Sequence, residues 1–361
     1  MVLRRMWVVP AWSVAIPVAA GVLLAVAWTM TLGWWLLLLV TAALLAVVLV
    51  GVYHAETVAH RVGEPFGTLI LAMAVTVIEL GLIGSMMLSG GEDARALARD
   101  TVFATVMIVL NGVVGVCLLV GGRRHHVLSF RAEGATSALV VLAPMTVLAL
   151  VLPSFTISAP GPVYTPSQLA FAGVAALLLY GVFVFVQTVR HRDDFLPLVS
   201  AADEHGERPG VATLWVSLGL LLLSLVAVIG LAKKLAPSIE AGVRAASAPE
   251  AVTGIVIAML VLLPETWAAV RAARRNRMQT SLNLAMGSAL ATIGLTIPAV
   301  AVLATILGMP LELGLRATEI VLLALTLLVS TITLIGGRAT VLHGAVHLIL
   351  FGAFVFLSVV P

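Results

Sequence analysis

Eleven long apolar stretches recur along this chain of 361 residues and constrain its fold more than any other feature. A helix that crosses a bilayer needs about 20 mostly apolar residues. The predicted spans are residues 12–30, 33–53, 66–88, 101–122, 135–153, 167–189, 211–232, 251–270, 279–306, 317–335 and 339–360. Charged residues make up only 10% of the chain, against about 25% in globular domains. The sequence therefore predicts an all-α polytopic membrane protein with about eleven transmembrane helices.

The distribution of basic residues predicts the orientation of these spans. Of the 20 Lys and Arg residues, fourteen fall in loops on one side of the membrane and six on the other. Loops rich in Lys and Arg usually stay in the cytoplasm, so we expect a cytoplasmic N-terminus and a C-terminus outside. The basic residues form no patch interleaved with aromatic residues, which argues against nucleic acid as a partner. The predicted partner is the lipid bilayer.

A long charged connection divides the spans into two sets. Residues 190–210 are predicted to form a cytoplasmic linker. The division that follows is an extra N-terminal helix at 1–32, a first repeat of five helices at 33–189 and a second repeat of five helices at 211–361. Because five is odd, the second set must enter the membrane from the opposite side. The sequence thus predicts two inverted repeats, an architecture that many secondary transporters share.

Two glutamates, Glu79 and Glu265, are the only carboxylates that lie near the middle of an apolar stretch. An ionisable side chain at that depth costs a few kcal/mol and is rarely present without a function. Each glutamate lies in the second helix of its set. Since either a proton or a metal ion can neutralise a carboxylate, we expect both residues to bind cations and protons in exchange, at one site near the midplane.

Neutral oxygen atoms are needed to complete such a site, because Ca²⁺ takes roughly six to eight oxygen ligands. Pro264 precedes Glu265 and cannot donate to the carbonyl of Leu260, which makes that carbonyl a candidate ligand. The other candidates are Asn111, Ser288, Thr76 and Asn283. Asn111 and Ser288 are predicted to occupy matched positions in the third helix of each set, although packing between helices is an alternative role for both.

Two histidines lie one helical turn apart in the last span. His343 and His347 share a helix face and titrate near neutral pH, so pH sensing or proton relay is one interpretation and helix packing near the cytoplasmic boundary is the other. An intramembrane zinc hydrolase would carry a helical H-E-x-x-H motif. Here Gly344 follows His343, and we therefore expect no enzymatic activity.

Three blocks of sequence resemble a known family. They are GEPFGTLILAMAVTVIE at 63–79, RDTVFATVMIVLNG at 99–112 and LLPETWAAVRAARRNRMQTSLNLAMGSALATIGLTIPAVA at 262–301. These blocks are similar to the signature repeats of the calcium/proton antiporters of the cation/Ca²⁺ exchanger superfamily, and specifically of its bacterial ChaA type. The resemblance implies exchange of cytoplasmic Ca²⁺, or of Na⁺ or K⁺, for external protons by alternating access across a bacterial inner membrane. It implies no cofactor.

The chain departs from the plant and fungal members of that family at several positions. Where those members carry Gly-Asn before each acid, this chain has Val75 and Thr76 in the first repeat and Val261 and Leu262 in the second. Their Gly-Ser-Ser-Thr-Gln run is replaced here by the residues at 287–291. These changes remove side-chain oxygens, so the choice among Ca²⁺, Na⁺ and K⁺ stays open. A passive cation channel is the alternative function, and no oligomeric state is predicted.

Overall fold

The computed structural model describes residues 9–62, 66–89, 94–196, 209–246, 249 and 251–360. Most of the predicted linker, 197–208, lies outside these residues. The helices are α1 (Ala11–Thr29), α2 (Trp34–Val62), α3 (Phe66–Ser89), α4 (Ala94–Met107), α5 (Val114–His125), α6 (Ala132–Thr146), α7 (Pro166–Phe185), α8 (Arg192–Phe195), α9 (Val211–Ala245), α10 (Ala251–Arg274), α11 (Met278–Ala291), α12 (Ile297–Leu307), α13 (Ala317–Ile335) and α14 (Val341–Val359). The two strands are β1 (Leu128–Ser129) and β2 (Arg338–Ala339).

The predicted fold class is confirmed. Among the described residues, nine helical segments are long and apolar enough to cross a membrane, and α10 makes a tenth when its two bent parts are taken together. A further helix of 24 residues, α3, coincides with the remaining predicted span. Every stretch predicted from hydropathy thus corresponds to a helix or to a pair of helices that continue each other.

Four of the described spans contain a π-helical turn; those at Val147–Val151 and Val186–Arg190 lie towards the end of their spans, and the other two lie near the middle. Residues Ile108–Val113 join α4 to α5, and residues Thr292–Thr296 join α11 to α12. The resulting spans run over Arg95–His125 and Met278–Leu307. These are the third helices of the two predicted sets. π-helical turns often occur at functional sites. Because the third helix of each predicted set contains one near its middle, the residues in these two turns are candidates for a functional role.

One compact unit lies within Met1–Met86 and Ala201–Gly242. In its described part, α1 packs on α2, where His54 Nε2 donates a hydrogen bond to the carbonyl of Ser13 at 2.8 Å. Ala55 of α2, Ala74 of α3 and Leu221 of α9 form an apolar cluster. The unit therefore combines the extra N-terminal helix with the first helix of each predicted set and most of α3.

The second compact unit comprises Met87–Ser200 and Val243–Pro361. Its helices approach each other closely where α5 meets α14. A Cβ atom placed on Gly344 would lie 2.6 Å from the backbone nitrogen of Leu119 and 2.9 Å from the carbonyl oxygen of Gly115. No side chain fits between these two backbones. Small residues at helix interfaces allow this kind of approach within a membrane.

Short connections pair reciprocally within the second unit. Strand β1, between the third and fourth helices of the first set, pairs antiparallel with β2, between the fourth and fifth helices of the second set. Conversely, Val163 lies between the fourth and fifth helices of the first set and bridges Glu312, which lies between the third and fourth helices of the second. In each pair, the eleven-span arrangement places both connections on the same side of the membrane. Reciprocal pairing of this kind supports the prediction of two inverted repeats.

Candidate functional site

Glu79 lies inside the first unit, near the middle of α3. Its side chain is only 2% exposed, and its Oε1 atom is fully buried. Thr76, three residues earlier and therefore on the same face of the helix, is 4% exposed. An acid and a hydroxyl thus occupy one buried face of α3, and their role as ligands of a cation or a proton stays a prediction.

Glu265 belongs to the second unit and lies where α10 changes direction. The segments Ala251–Leu263 and Glu265–Arg274 are inclined by 54°. Sharp kinks of this size are typical of proline positions, and the sequence has Pro264 at this point. Glu265 is half-buried and its Oε2 atom is fully buried. The break in α10 sets the acid at a discontinuous helix, where many transporters bind their substrates.

Leu260 was predicted to offer its backbone carbonyl at this break. The residue is half-buried in the segment that precedes the bend. On the next turn, the Thr266 hydroxyl donates to the carbonyl of Leu262 at 2.7 Å. The hydroxyl of Thr266 therefore satisfies one backbone carbonyl near the bend by a hydrogen bond. The role of the Leu260 carbonyl as a ligand stays a prediction.

Asn111 lies in the π-helical turn and is completely buried. Its Nδ2 atom donates to the hydroxyl of Thr326 at 2.9 Å, and its Oδ1 atom accepts from His347 Nδ1 at 3.2 Å. The second ring nitrogen of His347 lies 3.1 Å from the hydroxyl of Thr333. Asn111 and His347, two residues singled out separately from the sequence, thus belong to one buried network that also includes α13.

This network fixes which ring nitrogen of a neutral His347 carries the proton. The Oδ1 atom of Asn111 can only accept, so Nδ1 of His347 carries the proton. In a neutral ring Nε2 is then an acceptor, which the Thr333 hydroxyl satisfies as a donor. His347 is therefore fully hydrogen-bonded as a neutral imidazole, an arrangement that favours the packing interpretation of this residue.

His343 occupies a different environment from His347. It is half-buried in the first turn of α14, where its Nδ1 atom accepts from the backbone N–H of Thr340 at 3.2 Å as part of a capping box. The same Nδ1 atom lies 3.1 Å from the hydroxyl of Thr340. Of the two histidines, His343 is thus the one that caps the start of a helix.

We expect substitutions of the two histidines to have different effects on the pH dependence of transport. In His343→Gln the pH dependence of transport should shift while the maximal rate is largely retained, because glutamine lacks the imidazole ring of the cap but keeps a side chain that can accept the hydrogen bond at the helix start. In His347→Gln the pH profile should keep its midpoint. Transport rates measured over a pH series for both single variants test this assignment. A shifted profile in His347→Gln with an unchanged one in His343→Gln would contradict it.

The remaining candidates lie elsewhere in the second unit. Asn283 donates through Nδ2 to the carbonyl of Phe195 at 2.6 Å and accepts through Oδ1 from Gln279 at 3.0 Å. The Nδ2 end of its amide therefore ties α11 to Phe195 at the end of α8, while the Oδ1 end is held within α11. Ser288 is half-buried on α11, four residues before the π-helical turn. Their roles as cation ligands stay predictions.

The predicted match between Asn111 and Ser288 stays a prediction. Asn111 lies inside the π-helical turn of its span, whereas Ser288 lies on α11, four residues before the turn that begins at Thr292.

The sequence reasoning missed a group of charges at the boundary of the second unit. Arg99 Nε donates to Asp100 at 2.8 Å, and the two side chains are about nine-tenths buried. In the second half of the chain, Arg316 Nη2 donates a hydrogen bond to Glu319 Oε1 at 2.6 Å. The hydrogen bonds to Glu319 hold the pKa of the Arg316 guanidinium above its usual value. An arginine followed three residues later by a glutamate, which a helix brings together, was the available signal for the second pair.

Comparison with known proteins shows the family. The model of the sodium/calcium exchanger protein family matches residues 32–189 and 216–360. A putative ionic transporter of Sinorhizobium fredii, y4hA, is 48% identical over 98% of this chain and 97% of its own length. The sodium-potassium/proton antiporter ChaA of Escherichia coli is 36% identical over 84% of this chain and 83% of its own length.

A solved structure, that of the H⁺/Ca²⁺ exchanger CAX, shares the fold. It superposes with a TM-score of 0.74 at 14% identity and covers 95% of this chain and 86% of its own. The bacterial relatives support a place in the inner membrane, and the relatives and the structural neighbour are transporters. The chain is a multi-span transporter, not an enzyme, and it belongs to the sodium/calcium exchanger protein family.

Proposed function

We propose that this protein is a secondary antiporter that moves a cytoplasmic cation outward in exchange for external protons, with Glu79 and Glu265 as the residues that bind both. The observation that carries the proposal is the burial of Glu79, a carboxylate only 2% exposed in the middle of an apolar helix. A charge held there must be neutralised, by H⁺ or by a cation. The name of the Escherichia coli relative, a sodium-potassium/proton antiporter, supports the same class of reaction.

The inverted repeats support alternating access as the mechanism. The family model matches the chain in two segments, 32–189 and 216–360, that closely follow the division predicted from the sequence. Glu79 and Glu265 occupy the second helix of each set. In many transporters built from inverted repeats, one part of the molecule rocks against the other around a fixed binding region. We propose that each repeat contributes one acid to the exchange of ions.

Flux into proteoliposomes tests this function. The purified protein is reconstituted, a pH gradient is imposed, and uptake of Ca²⁺, Na⁺ and K⁺ is measured separately. An exchanger should move at least one of these ions faster with the gradient than without it. The response to each ion also identifies the transported cation, for which the relatives and the resemblance suggest Na⁺, K⁺ and Ca²⁺ as candidates.

The same experiment separates the antiporter from a passive channel. A channel conducts its ion down the electrochemical gradient whether or not protons are available to return. With the membrane potential clamped by an ionophore, an imposed pH gradient should therefore accelerate cation flux through an exchanger and leave flux through a channel unchanged. Flux that is indifferent to the pH gradient would overturn the proposal.

The proposed orientation predicts a specific result with reporter fusions. Fourteen of the 20 basic residues lie on the side assigned to the cytoplasm, a strong bias by the positive-inside rule. A reporter that is active only outside the inner membrane should work when it is fused after Pro361, and a cytoplasmic reporter should be silent there. The opposite pattern would contradict both the orientation and the odd number of spans.

A further inference from the structure

A cavity of about 560 Å³ opens inside the second unit where the C-terminal ends of α5 and α10 meet. Arginine dominates its lining, and none of the described residues that line it is acidic. The residues that line it are Arg124, His125, Trp267, Val270, Arg271, Arg274 and Arg275. Four guanidinium groups thus converge on one space, and the described part of its wall holds no carboxylate.

Backbone contacts fix the two walls of this cavity. His125 Nε2 donates to the carbonyl of Arg274 at 3.1 Å and so joins the last turn of α5 to the last turn of α10. A Cβ atom on Gly121 would lie 3.3 Å from the carbonyl oxygen of Ala273, so α5 and α10 are also in close approach one turn earlier. The arginines therefore extend from two helix ends that are held together, which preorganises their positive charge.

The cavity combines this charge with an apolar side. Trp267 is 62% exposed, and it lies four and seven residues before Arg271 and Arg274, on the same face of α10. Both helices are parts of predicted spans, so the cavity lies where the spans leave the membrane. Tryptophan is enriched at this level because its ring fits the boundary between acyl chains and headgroups.

We propose that this cavity binds the phosphate headgroup of an anionic phospholipid, with the acyl chain leaving past Trp267. A guanidinium group binds phosphate through two parallel hydrogen bonds, which gives geometric as well as electrostatic recognition. Basic pockets between transmembrane helices on the cytoplasmic side are suited to headgroups that carry phosphate. A free phosphate ion would use the same arginines but would leave the exposed indole without a partner. This inference does not depend on the proposed function.

Native mass spectrometry of the purified protein counts the bound lipids directly. The parent is compared with a triple variant, Arg271→Gln, Arg274→Gln and Arg275→Gln, after incubation with cardiolipin, phosphatidylglycerol or phosphatidylcholine. A matched control removes three exposed arginines from elsewhere on the same predicted side, Arg190→Gln, Arg192→Gln and Arg338→Gln. We expect the pocket variant to bind the anionic lipids about a hundredfold more weakly than the parent and the control variant to bind them like the parent.

Two further measurements test whether the ligand is a lipid and whether the arginines bind it. Inorganic phosphate, added at the same phosphate concentration as the lipid, should displace little cardiolipin from the parent; efficient displacement would overturn the assignment to a lipid. If the glutamine variant does not insert, a variant with lysine at 271, 274 and 275 replaces it, because lysine keeps the positive charge that directs topology. This lysine variant should bind fewer anionic lipids than the parent, since lysine lacks the planar guanidinium group that binds phosphate through two hydrogen bonds. Equal lipid counts in the parent and in the pocket variant that inserts would overturn the proposal.

Discussion

Replacing Glu79 or Glu265 with glutamine is expected to abolish proton-coupled cation transport. Glutamine keeps the size of the side chain and one oxygen atom, but it neither ionises nor carries a proton. Each single variant therefore loses a ligand charge and a proton carrier at once. Insertion and folding should be preserved, because removing a charge from membrane depth relieves a cost of a few kcal/mol. Transport in proteoliposomes, normalised to the amount of inserted protein, is the measurement.

Glu133→Gln is the matched control for these two substitutions. Glu133 is exposed in the first turn of α6, so water already solvates its carboxylate and the same chemical change should leave transport near the parental rate. Retention of near-parental, proton-coupled transport by both Glu79→Gln and Glu265→Gln would show that these carboxylates are not the ion-binding groups.

Gly344→Ala should destabilise the second unit by about 1–3 kcal/mol, the usual cost of overpacking an interior. The added methyl group would lie 2.6 Å from a backbone nitrogen of α5, and a helix backbone cannot move aside as the end of a flexible side chain can. We expect a lower unfolding temperature in detergent and a reduced yield of folded protein.

Gly352→Ala, on the same helix, is the control, and we expect it to raise the stability of the protein. No atom of the described residues lies within 4 Å of the position that a Cβ atom on Gly352 would take. Replacing glycine by alanine at an unstrained helical position stabilises by about 0.4–1 kcal/mol, mainly by restricting the unfolded chain. Thermal unfolding of the two variants side by side checks the prediction. Equal stability of Gly344→Ala and Gly352→Ala would contradict the close approach of α5 and α14.

The sequence predicted the spans well because burial in lipid imposes a requirement that hydropathy measures directly. A charged loop and an apolar helix of about 20 residues differ so much in composition that the boundaries of α7 and α13 coincide with the predicted spans to within a residue at most ends. The depth of Glu79 was predictable for the same reason, since a carboxylate in the middle of an apolar run has no water nearby.

Contacts between helices were not predictable in this way. Asn111 was recognised as a polar residue in a span, but its partners Thr326 and His347 lie 215 and 236 positions away. The polar residues Thr326, Ser330 and Thr333 recur at i, i+4 and i+7 on α13 and are all buried, a pattern that could have indicated a polar face. Which helix that face contacts depends on packing, and hydropathy does not encode it.

Irregular backbone was not predictable from hydropathy either. Asn111 lies in a π-helical turn. A π-helical turn inserts one residue into a helix without a distinctive sequence pattern. The reciprocal pairing of β1 with β2 and of Val163 with Glu312 likewise involves only a few residues in each connection.

Proton movement driven by a cation gradient alone tests the central claim most directly. Proteoliposomes are loaded with the transported cation, diluted into medium of equal pH without that ion, and followed with a trapped pH indicator while the membrane potential is clamped. The account predicts that the lumen of parent vesicles acidifies, because protons enter in exchange for the cation although no pH gradient was imposed. In vesicles with Glu79→Gln or Glu265→Gln, the lumen should stay at its starting pH. A lumen that keeps its pH in parent vesicles while the cation leaves would contradict proton-coupled exchange.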